Sequence, residues 1–418
     1  MGRSGEAAKK LLLRQGTLSE DIITFDQKPG LADEHDPAAL LARKPDVLVV
    51  SPGVPLANSW IVEARAQGVR ITSEIGLACD VLAGEKLIGV TGSVGKSTTV
   101  ALLGEGARHA DPQAFVGGNF GVPFCEYAVE VLSGIRPRAK WVVLELSSFQ
   151  LENCEPLSLD FSAITSFSPN HLERYANLRE YYEIKWSLLD RTRGPCFLNS
   201  RGGDLKTWAL QHPGRWVLVG SENPELTRFQ LASARLIGRH NQDNLALAVS
   251  VGLAAGWPTS FVERMKSFTG LPHRLENLGT ARGIRFINDS KATAMDSVLT
   301  AAAAATELCS GSSHLFLLLG GKDKNLPWEQ LSVLKDHPRL VPVFFGHCGE
   351  LAQSRSGLDG SVHAHLLEAV RAVLKNAREG DVVLLSPGGT SLDEFRNFEE
   401  RGRVFQEYLE KEAGLNPL

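Results

Sequence analysis

Short apolar runs alternate with segments of helical periodicity along the whole chain, and they group into three stretches. The first stretch ends near residue 83, the second ends near residue 272, and the third continues to residue 418. Apolar runs that alternate with helices indicate mostly parallel sheets covered by helices on both faces. The pattern therefore predicts an α/β protein of three domains, residues 1–83, 84–272 and 273–418.

Each stretch has recognisable elements. In the first, helices are predicted at residues 5–14 and 74–82, and short strands at 22–25 and 47–50. The second opens with a buried strand at residues 87–90. The third is predicted to hold three apolar strands and a helix, at residues 285–287, 315–319, 382–385 and 297–308. Gly84 and the turn at Gly270 mark the two boundaries.

The amino terminus has an unusual start. Met1, Gly2, Arg3, Ser4 and Gly5 resemble the glycine turn and helix that follow the first strand of a Rossmann-like unit, but no strand precedes them. Either the true start lies further upstream, or the domain folds without that strand. We expect a Rossmann-like amino-terminal domain whose first strand is missing.

Composition narrows the class of protein. With 43% hydrophobic residues, 22% charged residues and a net charge of -4, the chain has no basic patch for nucleic acid. The six cysteines include no C-x-x-C pair, so reduced thiols are expected rather than a disulfide or zinc framework. No apolar run approaches the roughly 18 residues of a membrane span, and no signal region is recognisable. A cytoplasmic protein is expected.

The strongest chemical signal is a glycine loop between a buried strand and a helix. Gly92, Gly95, Lys96 and Ser97 form the pattern G-x-x-G-K-S, whose backbone N–H groups and lysine can hold phosphates and whose serine can ligate Mg²⁺. A full Walker pattern would have a further glycine at Val90. Because strand, loop and helix occur in order, we interpret the segment as a nucleotide-binding loop rather than a chance turn.

A carboxylate ends the apolar run at residues 141–145. Ligands bind at the carboxyl ends of strands in parallel sheets, so Glu145 could hold magnesium beside a bound triphosphate. By itself the residue could equally cap a helix or form a salt bridge. The phosphate loop about 50 residues earlier favours the functional interpretation.

Two further residues are candidates whose spacing alone does not settle a role. His171 follows a predicted strand at residues 161–165 and could contact magnesium or phosphate, or simply be a hydrogen-bonded loop histidine. Lys185 lies on a predicted helix at residues 181–189, beside an apolar face, where most lysines direct the ammonium group to solvent.

Taken together, these motifs resemble those of the Mur ligases over nearly the whole chain. The matching segments occur in the family's order, at residues 51–53, 92–97, 118–123, 144–152, 170–175, 240–244, 271–276, 288–293, 319–324, 385–387, 391–395 and 397–399. Segments 147–152, 271–274 and 288–293 favour the branch that adds D-glutamate to UDP-N-acetylmuramoyl-L-alanine. The resemblance implies three domains that bind UDP, ATP and the amino acid: a Rossmann-like domain, a central P-loop ATPase domain and a second Rossmann-like domain.

The resemblance also implies roles for individual residues. Lys96 would contact phosphates, Ser97 and Glu145 would hold one Mg²⁺, and His171 with a carbamylated Lys185 would hold a second. A carbamate makes chemical sense because CO₂ converts a cationic amine into an anion with ligand oxygens. The other implied contacts are Gly92, Gly95, Thr98, Asn241, Asn244, Arg274 and Asp289 for ATP; Thr293, Lys324, Ser391 and Phe398 for glutamate; and Ser51 and Asn119, then Arg3 and Ser4, for the UDP-sugar.

The chain departs from the family pattern at several positions. Val94 replaces a polar residue in the phosphate loop, and Asn170 replaces the usual aspartate before His171. Ala294 stands where asparagine is common, and residues 387–391 contain two glycines where the family often has alanine and cysteine. No residue with an implied catalytic role is lost.

The expected reaction is amide formation through an acyl phosphate, with ATP and Mg²⁺, by a monomer whose partners are small-molecule substrates. Three alternatives stay open. One is a sister Mur ligase or a folylpolyglutamate-type ligase with another amino acid. The second is a preference for L-glutamate, and the third is a non-catalytic nucleotide-binding subunit. The lack of an Asp-Asn-Pro-Arg segment disfavours diaminopimelate or lysine addition.

Overall fold

A computed structural model describes residues 2–169 and 174–416 of the chain. The chain folds into two compact units, the first made of Met1–Ala232 and Asp243–Lys266, the second of Ser233–Gln242 and Ser267–Leu418. The described segments contain four short 3₁₀ helices, at Ser19–Asp21, Pro224–Phe229, Leu231–Ser233 and Trp328–Leu334. Among the described helices, none combines the length and the apolarity that crossing a membrane requires.

The first unit contains a small two-stranded sheet. Its elements are helix α2 (Pro37–Ala42), strand β1 (Val47–Val49), helix α3 (Ser59–Ala66) and strand β2 (Arg70–Thr72), and the two strands are parallel. Its buried apolar residues form a core of their own, made of Leu40, Leu41, Leu48, Val50, Ile61 and Ala64. The strand predicted at residues 47–50 is confirmed.

The strand predicted at residues 22–25 is wrong. Only Phe25 makes an isolated bridge, to Glu34. The backbone N–H and the hydroxyl of Thr24 both donate to the Asp33 carboxylate, at 2.9 and 2.7 Å. This apolar run therefore turns back on its own loop instead of joining a sheet.

Two helices of the amino-terminal stretch pack on the larger part of the unit. Helix α1 (Arg3–Arg14) and helix α4 (Glu74–Val81) confirm the predicted helices at 5–14 and 74–82. The buried face of α1, Ala7, Ala8 and Leu11, belongs to the large core and not to that of the small sheet. The division into three domains stays a prediction.

A six-stranded, fully parallel sheet forms the centre of the first unit. Its strands are β3 (Lys86–Thr91), β4 (Phe115–Gly118), β5 (Trp141–Glu145), β6 (Phe161–Ile164), β7 (Cys196–Asn199) and β8 (Trp216–Val219). They lie in the order β4-β5-β3-β6-β7-β8. The sheet is accompanied by helices α5 (Lys96–Ala110), α6 (Phe124–Leu132), α7 (Ser148–Leu151), α8 (Leu178–Trp186), α9 (Leu205–Gln211), α10 (Arg239–Ala254) and α11 (Phe261–Lys266). The strand predicted at residues 87–90 is confirmed.

Helix α10 contributes to both units. The division falls between Gln242 and Asp243, so its first turn belongs to the second unit and the rest to the first.

The second unit has its own six-stranded sheet. Its strands are β9 (Glu276–Ala281), β10 (Ile284–Asn288), β11 (Leu315–Gly320), β12 (Leu340–Phe345), β13 (Ser361–His363) and β14 (Val382–Gly388). They lie in the order β13-β12-β11-β14-β10-β9, all parallel except β9, which is antiparallel to β10. Helices α12 (Met295–Thr306), α13 (Gly349–Ser356), α14 (Leu366–Asn376) and α15 (Phe398–Ala413) accompany them.

The prediction of three strands for this stretch was too low. The three predicted runs are β10, β11 and β14, but β9, β12 and β13 also join the sheet. β9 and β13 are edge strands with few apolar residues, since an edge strand buries less surface. β12 is apolar but contains Pro342, which disfavours a strand in a sequence-based prediction.

Candidate active site

The phosphate loop connects β3 to α5 through two glycines with positive φ. Gly92 has φ of 145° and Gly95 has φ of 90°, a region that side chains rarely adopt. A Cβ on Gly92 would collide with the Thr165 side chain, and one on Gly95 would come within 2.8 Å of the Asn244 side-chain oxygen. Both glycines are therefore required by conformation and by close approach of neighbours.

The Lys96 side chain folds back onto the phosphate loop. The Lys96 ammonium donates to the carbonyl oxygens of Gly92 and Ser93, at 2.8 and 2.9 Å. Ser97 is buried and Thr98 half-buried in the first turn of α5, where backbone N–H groups and the helix dipole favour an anion. The loop thus has the chemistry that the sequence predicted for a phosphate site.

Ser93 and Val94, which depart from the family pattern, join the loop to the segment after β6. The Ser93 hydroxyl donates to the Ser168 carbonyl and accepts from the Ser168 N–H, both at 3.0 Å. The Val94 N–H donates to the Ser166 hydroxyl at 2.9 Å, while the Val94 side chain is 37% exposed. The apolar side chain at position 94 therefore points away from the loop's hydrogen bonds.

Glu145 ends β5, directly beside the phosphate-loop strand, where it pairs with Val90. Its carboxylate is 2% exposed. Oε1 accepts from the Asn119 amide at 2.7 Å, and the Asn119 N–H donates to the Glu145 carbonyl at 2.9 Å. Oε2 is buried with no hydrogen-bond partner in the described structure, and no ion pair of Glu145 occurs among the described residues. The salt-bridge interpretation of Glu145 therefore finds no support there.

Lys185 is buried rather than directed to solvent. Its side chain, on α8, is 1% exposed, and its ammonium donates to the Gly92 carbonyl at 3.0 Å. Burial lowers the pKa of Lys185 well below its ordinary range, nearby Lys96 lowers it further, and Glu145 opposes the shift. An uncharged amine is the form that reacts with CO₂, so this environment fits the implied carbamate.

The residues around the loop fit a magnesium ion. An unpartnered carboxylate oxygen of Glu145 and a buried hydroxyl of Ser97 flank the phosphate loop, and oxygens are the ligands that Mg²⁺ prefers. No group of three His, Cys, Asp or Glu side chains that could hold a metal occurs in the part of the chain that the structure describes. His171, the remaining candidate, lies outside the described residues.

The residues implied for the UDP-sugar end come from separate segments of the first unit. Ser51 lines a small pocket with Pro52, Phe149, Glu152 and other residues. Asn119 instead contacts Glu145, as described above. The Arg3 guanidinium donates to the Gly121 carbonyl at 2.8 Å, in the loop that follows Asn119.

Sequence reasoning missed an ion pair beside the Ser51 pocket. Arg174 donates to the Glu152 carboxylate at 2.7 Å and to the Gly53 carbonyl at 3.3 Å, and the Tyr175 hydroxyl donates to Glu152 at 2.8 Å. These contacts join the segment after β1 to the segment after β5. Arg174 and Glu152 both lie in segments that resemble the Mur ligases, and this resemblance was the sequence signal that could have pointed to them.

Two asparagines of α10 were implied for ATP. Asn244, in the first unit, lies against Gly95 of the phosphate loop, as the close approach above shows. Asn241, in the second unit, donates from its amide to the Ile237 carbonyl at 2.8 Å.

In the second unit, Asp289 follows β10 and is buried. Its Oδ2 accepts from the Ser386 hydroxyl at 2.8 Å, and its Oδ1 accepts from the Leu275 N–H at 3.1 Å. Burial raises the pKa of Asp289 to about 7, against these hydrogen bonds and the charge of Arg274. Arg274 and Asp289, both implied for ATP, are thus electrostatic neighbours, and Ser386 is a partner that sequence reasoning missed.

Backbone hydrogen bonds join the loops that carry the implied glutamate contacts. These loops follow β10, β11 and β14, which are neighbours in the sheet. The Gly388 N–H donates to the Ala292 carbonyl at 3.0 Å, and Lys322 and Thr390 exchange two backbone hydrogen bonds of 2.8 and 2.9 Å. Ser391 is buried, Thr293 is half-buried and Lys324 is exposed. The carboxyl ends of these strands therefore gather the loops that carry Thr293, Lys324 and Ser391.

A buried arginine organises the same loops and was not predicted. Arg401 is fully buried on α15 and donates to the Ser290 hydroxyl, the Ser290 carbonyl and the Gly389 carbonyl, at 3.0, 2.8 and 3.1 Å. Burial lowers its pKa to about 10. The Ser290 hydroxyl donates to the Phe398 carbonyl at 2.8 Å, and the Lys291 ammonium lies 3.8 Å from the centre of the Phe398 ring.

The phosphate loop, a buried lysine and a buried carboxylate define a nucleotide-dependent enzyme. Family models identify it further. Residues 90–234 match the Mur ligase middle domain, and residues 273–389 match the Mur ligase glutamate ligase domain. The chain belongs to the Mur ligase family, which confirms the resemblance and the predicted class of ATP-dependent ligase.

Individual relatives match over nearly the full length. The chain is 34% identical over 449 residues to the UDP-N-acetylmuramoylalanine–D-glutamate ligase of Koribacter versatilis (strain Ellin345), covering 99% of this chain and 96% of the relative. It is 37% identical over 398 residues to the protein of the same name from Symbiobacterium thermophilum, covering 87% of this chain and 84% of that protein.

A solved structure shares the fold. The MurF ligase of Thermotoga maritima, in complex with ADP, superposes with a TM-score of 0.61 at 16% identity, covering 82% of this chain and 87% of that one. The predicted α/β class with mostly parallel sheets is confirmed.

Proposed function

We propose that the chain adds D-glutamate to UDP-N-acetylmuramoyl-L-alanine in peptidoglycan precursor synthesis, with ATP as the energy source. The observation that carries the proposal is the arrangement around Gly92, whose carbonyl oxygen accepts hydrogen bonds from both Lys96 and Lys185. The two relatives named above support the choice of substrates.

The chemistry requires activation of a carboxylate, because amide formation from a free carboxylate is uphill in water. The substrate carboxylate attacks the γ-phosphorus of ATP, which gives an acyl phosphate and ADP. The amine of glutamate attacks the acyl carbon, and the tetrahedral intermediate releases phosphate. The Lys96 ammonium and the backbone N–H groups of the loop would stabilise the charge on the transferring phosphoryl group.

Magnesium is part of the proposal. Ser97 and Glu145 would hold one ion, and His171 with a carbamylated Lys185 a second. Bound Mg²⁺ would neutralise phosphate charge during transfer. The unpartnered Oε2 of Glu145 and the depressed pKa of Lys185 support these assignments.

The remaining assignments follow the family. ATP would contact Gly92, Gly95, Thr98, Asn241, Asn244, Arg274 and Asp289; glutamate would contact Thr293, Lys324, Ser391 and Phe398; and the UDP-sugar would contact Ser51 and Asn119. We also propose the three-domain division and a monomer that acts in the cytoplasm. All six cysteines are free thiols, which suits a reducing compartment.

The test is phosphate release from ATP and Mg²⁺ by the purified chain, with each of the other two substrates omitted in turn. The proposal expects release only when both are present, with D- preferred over L-glutamate. Release with another amino acid would favour a sister ligase. No release, while ATP still binds, would contradict the proposal.

A further inference from the structure

A bidentate ion pair holds the start of the first unit's part of α10. Arg201, in the loop after β7, donates from its Nε to Oδ2 of Asp243 at 3.0 Å and from a terminal nitrogen to Oδ1 at 2.6 Å. Asp243 is 3% exposed, and its Oδ1 also accepts from the Ser221 N–H at 3.0 Å. This fork geometry is the strong form of a carboxylate–guanidinium contact.

The same guanidinium connects two loops of the sheet. Arg201 also donates to the Ser221 hydroxyl at 2.7 Å and pairs with Glu222 at 2.5 Å, and both partners follow β8. Its own backbone N–H donates to the Asn199 side chain at 3.0 Å. The loops after β7 and β8 and the second turn of α10, at Asp243, therefore meet at one side chain.

The residue after Asp243 faces the phosphate loop. Successive residues on an α-helix point about 100° apart, so Asp243 can face Arg201 while Asn244 faces Gly95. The Asn244 side chain lies so close that a Cβ on Gly95 would come within 2.8 Å of its oxygen. Fixing Asp243 therefore fixes the rotation and the axial position of the turn that presents Asn244.

The electrostatics of the pair favour its charged form. Burial alone would raise the pKa of Asp243, but Arg201 and the Ser221 N–H more than offset it and the pKa is lowered. If Arg201 is removed, the carboxylate keeps far fewer donors while it stays shielded from water. The Asp243 carboxylate would then move toward solvent to regain hydrogen bonds. Because Asp243 and Asn244 share one turn of α10, that movement would shift Asn244 as well.

We propose that Arg201 and Asp243 are positioning residues for nucleotide binding, because their ion pair holds the turn of α10 that places Asn244 against Gly95. Neither residue is among the contacts that the family resemblance implies. The inference rests on the proposed function, since it requires a nucleotide in the phosphate loop.

The test compares Arg201→Met with a matched control, Arg193→Met. Arg193 pairs with Asp160 at 3.1 Å, and Asp160 precedes β6, at the opposite end of the same sheet. Binding of ADP with Mg²⁺ is measured by calorimetry, and unfolding of the ligand-free proteins by thermal melting. We expect Arg201→Met to raise the Kd for ADP on the order of tenfold, and Arg193→Met to leave it unchanged.

Further variants separate positioning from simple stabilisation. Arg201→Lys keeps the charge but not the fork, so its Kd should lie between those of the wild type and Arg201→Met. The double variant Arg201→Met/Asp243→Asn should bind no more weakly than the weaker single variant, because both changes break one contact. In turnover, KM for ATP should rise while KM for glutamate at saturating ATP stays constant.

The outcomes distinguish the inference from the function on which it rests. If the wild type does not bind ADP, the proposed function fails. If the wild type binds and Arg201→Met binds equally well, the ion pair is only structural and the inference is wrong, whatever the melting temperature. If Arg201→Met does not fold, an unchanged Kd in Arg201→Lys and Asp243→Asn overturns the inference.

Discussion

Two sets of loops at the carboxyl ends of parallel strands invite comparison, the phosphate loop of the first unit and the loop cluster of the second. The first concentrates its chemistry in six consecutive residues, from Gly92 to Ser97, next to buried Glu145 and Lys185. The second draws its candidates, Thr293, Lys324 and Ser391, from loops after three different strands, and backbone hydrogen bonds hold those loops together.

Burial shifts the pKa values of charged groups in both regions, so the difference lies in the hydrogen bonding of the buried carboxylates. In the first region Oε2 of Glu145 has no partner in the described structure, and Lys185 is held in an environment that disfavours its charge. In the second, Asp289 and Arg401 are each hydrogen-bonded to nearby loops. An unsatisfied buried group is costly, so the unpartnered Oε2 of Glu145 marks the first region as the one where a ligand would satisfy a buried polar atom.

The largest effect should come from the first region. Lys96→Met removes the cation proposed to contact the phosphates, and we expect kcat for phosphate release to fall by at least about 10³-fold. Single-turnover measurement of ATP cleavage checks this. Lys86→Met, at the other end of the same strand, is the control and should keep full activity. A loss smaller than tenfold in Lys96→Met would show that the phosphate loop does not take part in the chemistry.

In the second region the effect should be confined to one substrate. Lys324→Met removes a charge-assisted contact worth about 1.5–3 kcal/mol, so KM for D-glutamate should rise by roughly 10- to 100-fold. KM for ATP should not change. Lys335→Met, an equally exposed lysine after a 3₁₀ helix of the same unit, should change neither constant. An unchanged KM for glutamate would show that the exposed lysine takes no part.

Asn119 tests the proposal that Glu145 in the first region holds a metal ion. Asn119→Ala frees Oε1 of Glu145, and the affinity for Mn²⁺ in the presence of ADP should fall by about tenfold. Electron paramagnetic resonance of Mn²⁺ measures it without the UDP-linked substrate. Asn376→Ala, an exposed asparagine of α14, is the control. If metal affinity holds and only KM for the UDP-linked substrate rises, Asn119 acts on the substrate alone.

A separate prediction concerns the pH dependence of stability in the second unit. The pKa of Asp289 is about 7, above its ordinary value of 3.8, so the folded carboxyl holds its proton more tightly than the unfolded one. Its contribution to stability is complete below pH 3.8 and is lost as pH rises through 7, at most about 1.4 kcal/mol per pH unit. Asp289→Asn cannot ionise and should gain stability relative to the wild type as pH rises.

Thermal melting at pH 5 and pH 8 measures that difference. A melting-temperature difference between Asp289→Asn and the wild type that stays constant with pH would contradict the raised pKa. Glu74→Gln is the matched variant in the first unit. It should show the same pH-dependent gain in stability, because burial raises the pKa of Glu74 to about 7 as well.

Prediction from the sequence succeeded where the signal was local. The strand, loop and helix around Lys96 lie within about 25 residues and each carries its own pattern, so they could be placed without tertiary information. β5, which ends at Glu145, and β6 were visible for the same reason, since both are buried on two faces and read as apolar runs.

Two buried charges that escaped prediction depend on partners distant in sequence. Arg401 and Asp243 look like charged positions on helix surfaces, and only the fold shows that Ser290, Gly389 and Arg201 enclose them. The run at residues 22–25 has strand-like residues, but the Thr24–Asp33 hydrogen bonds draw it into a local loop.

The position of β3 inside its sheet bears on how the chain acquires its nucleotide site during synthesis. β3 pairs with β5 on one side and β6 on the other, and β6 ends at Ile164. The loop therefore cannot be enclosed until more than 70 residues beyond Gly92 have left the ribosome. Pairing across such separations is slow to form, so a nascent chain that stalls between Glu145 and Phe161 would leave one edge of the apolar strand β3 unpaired.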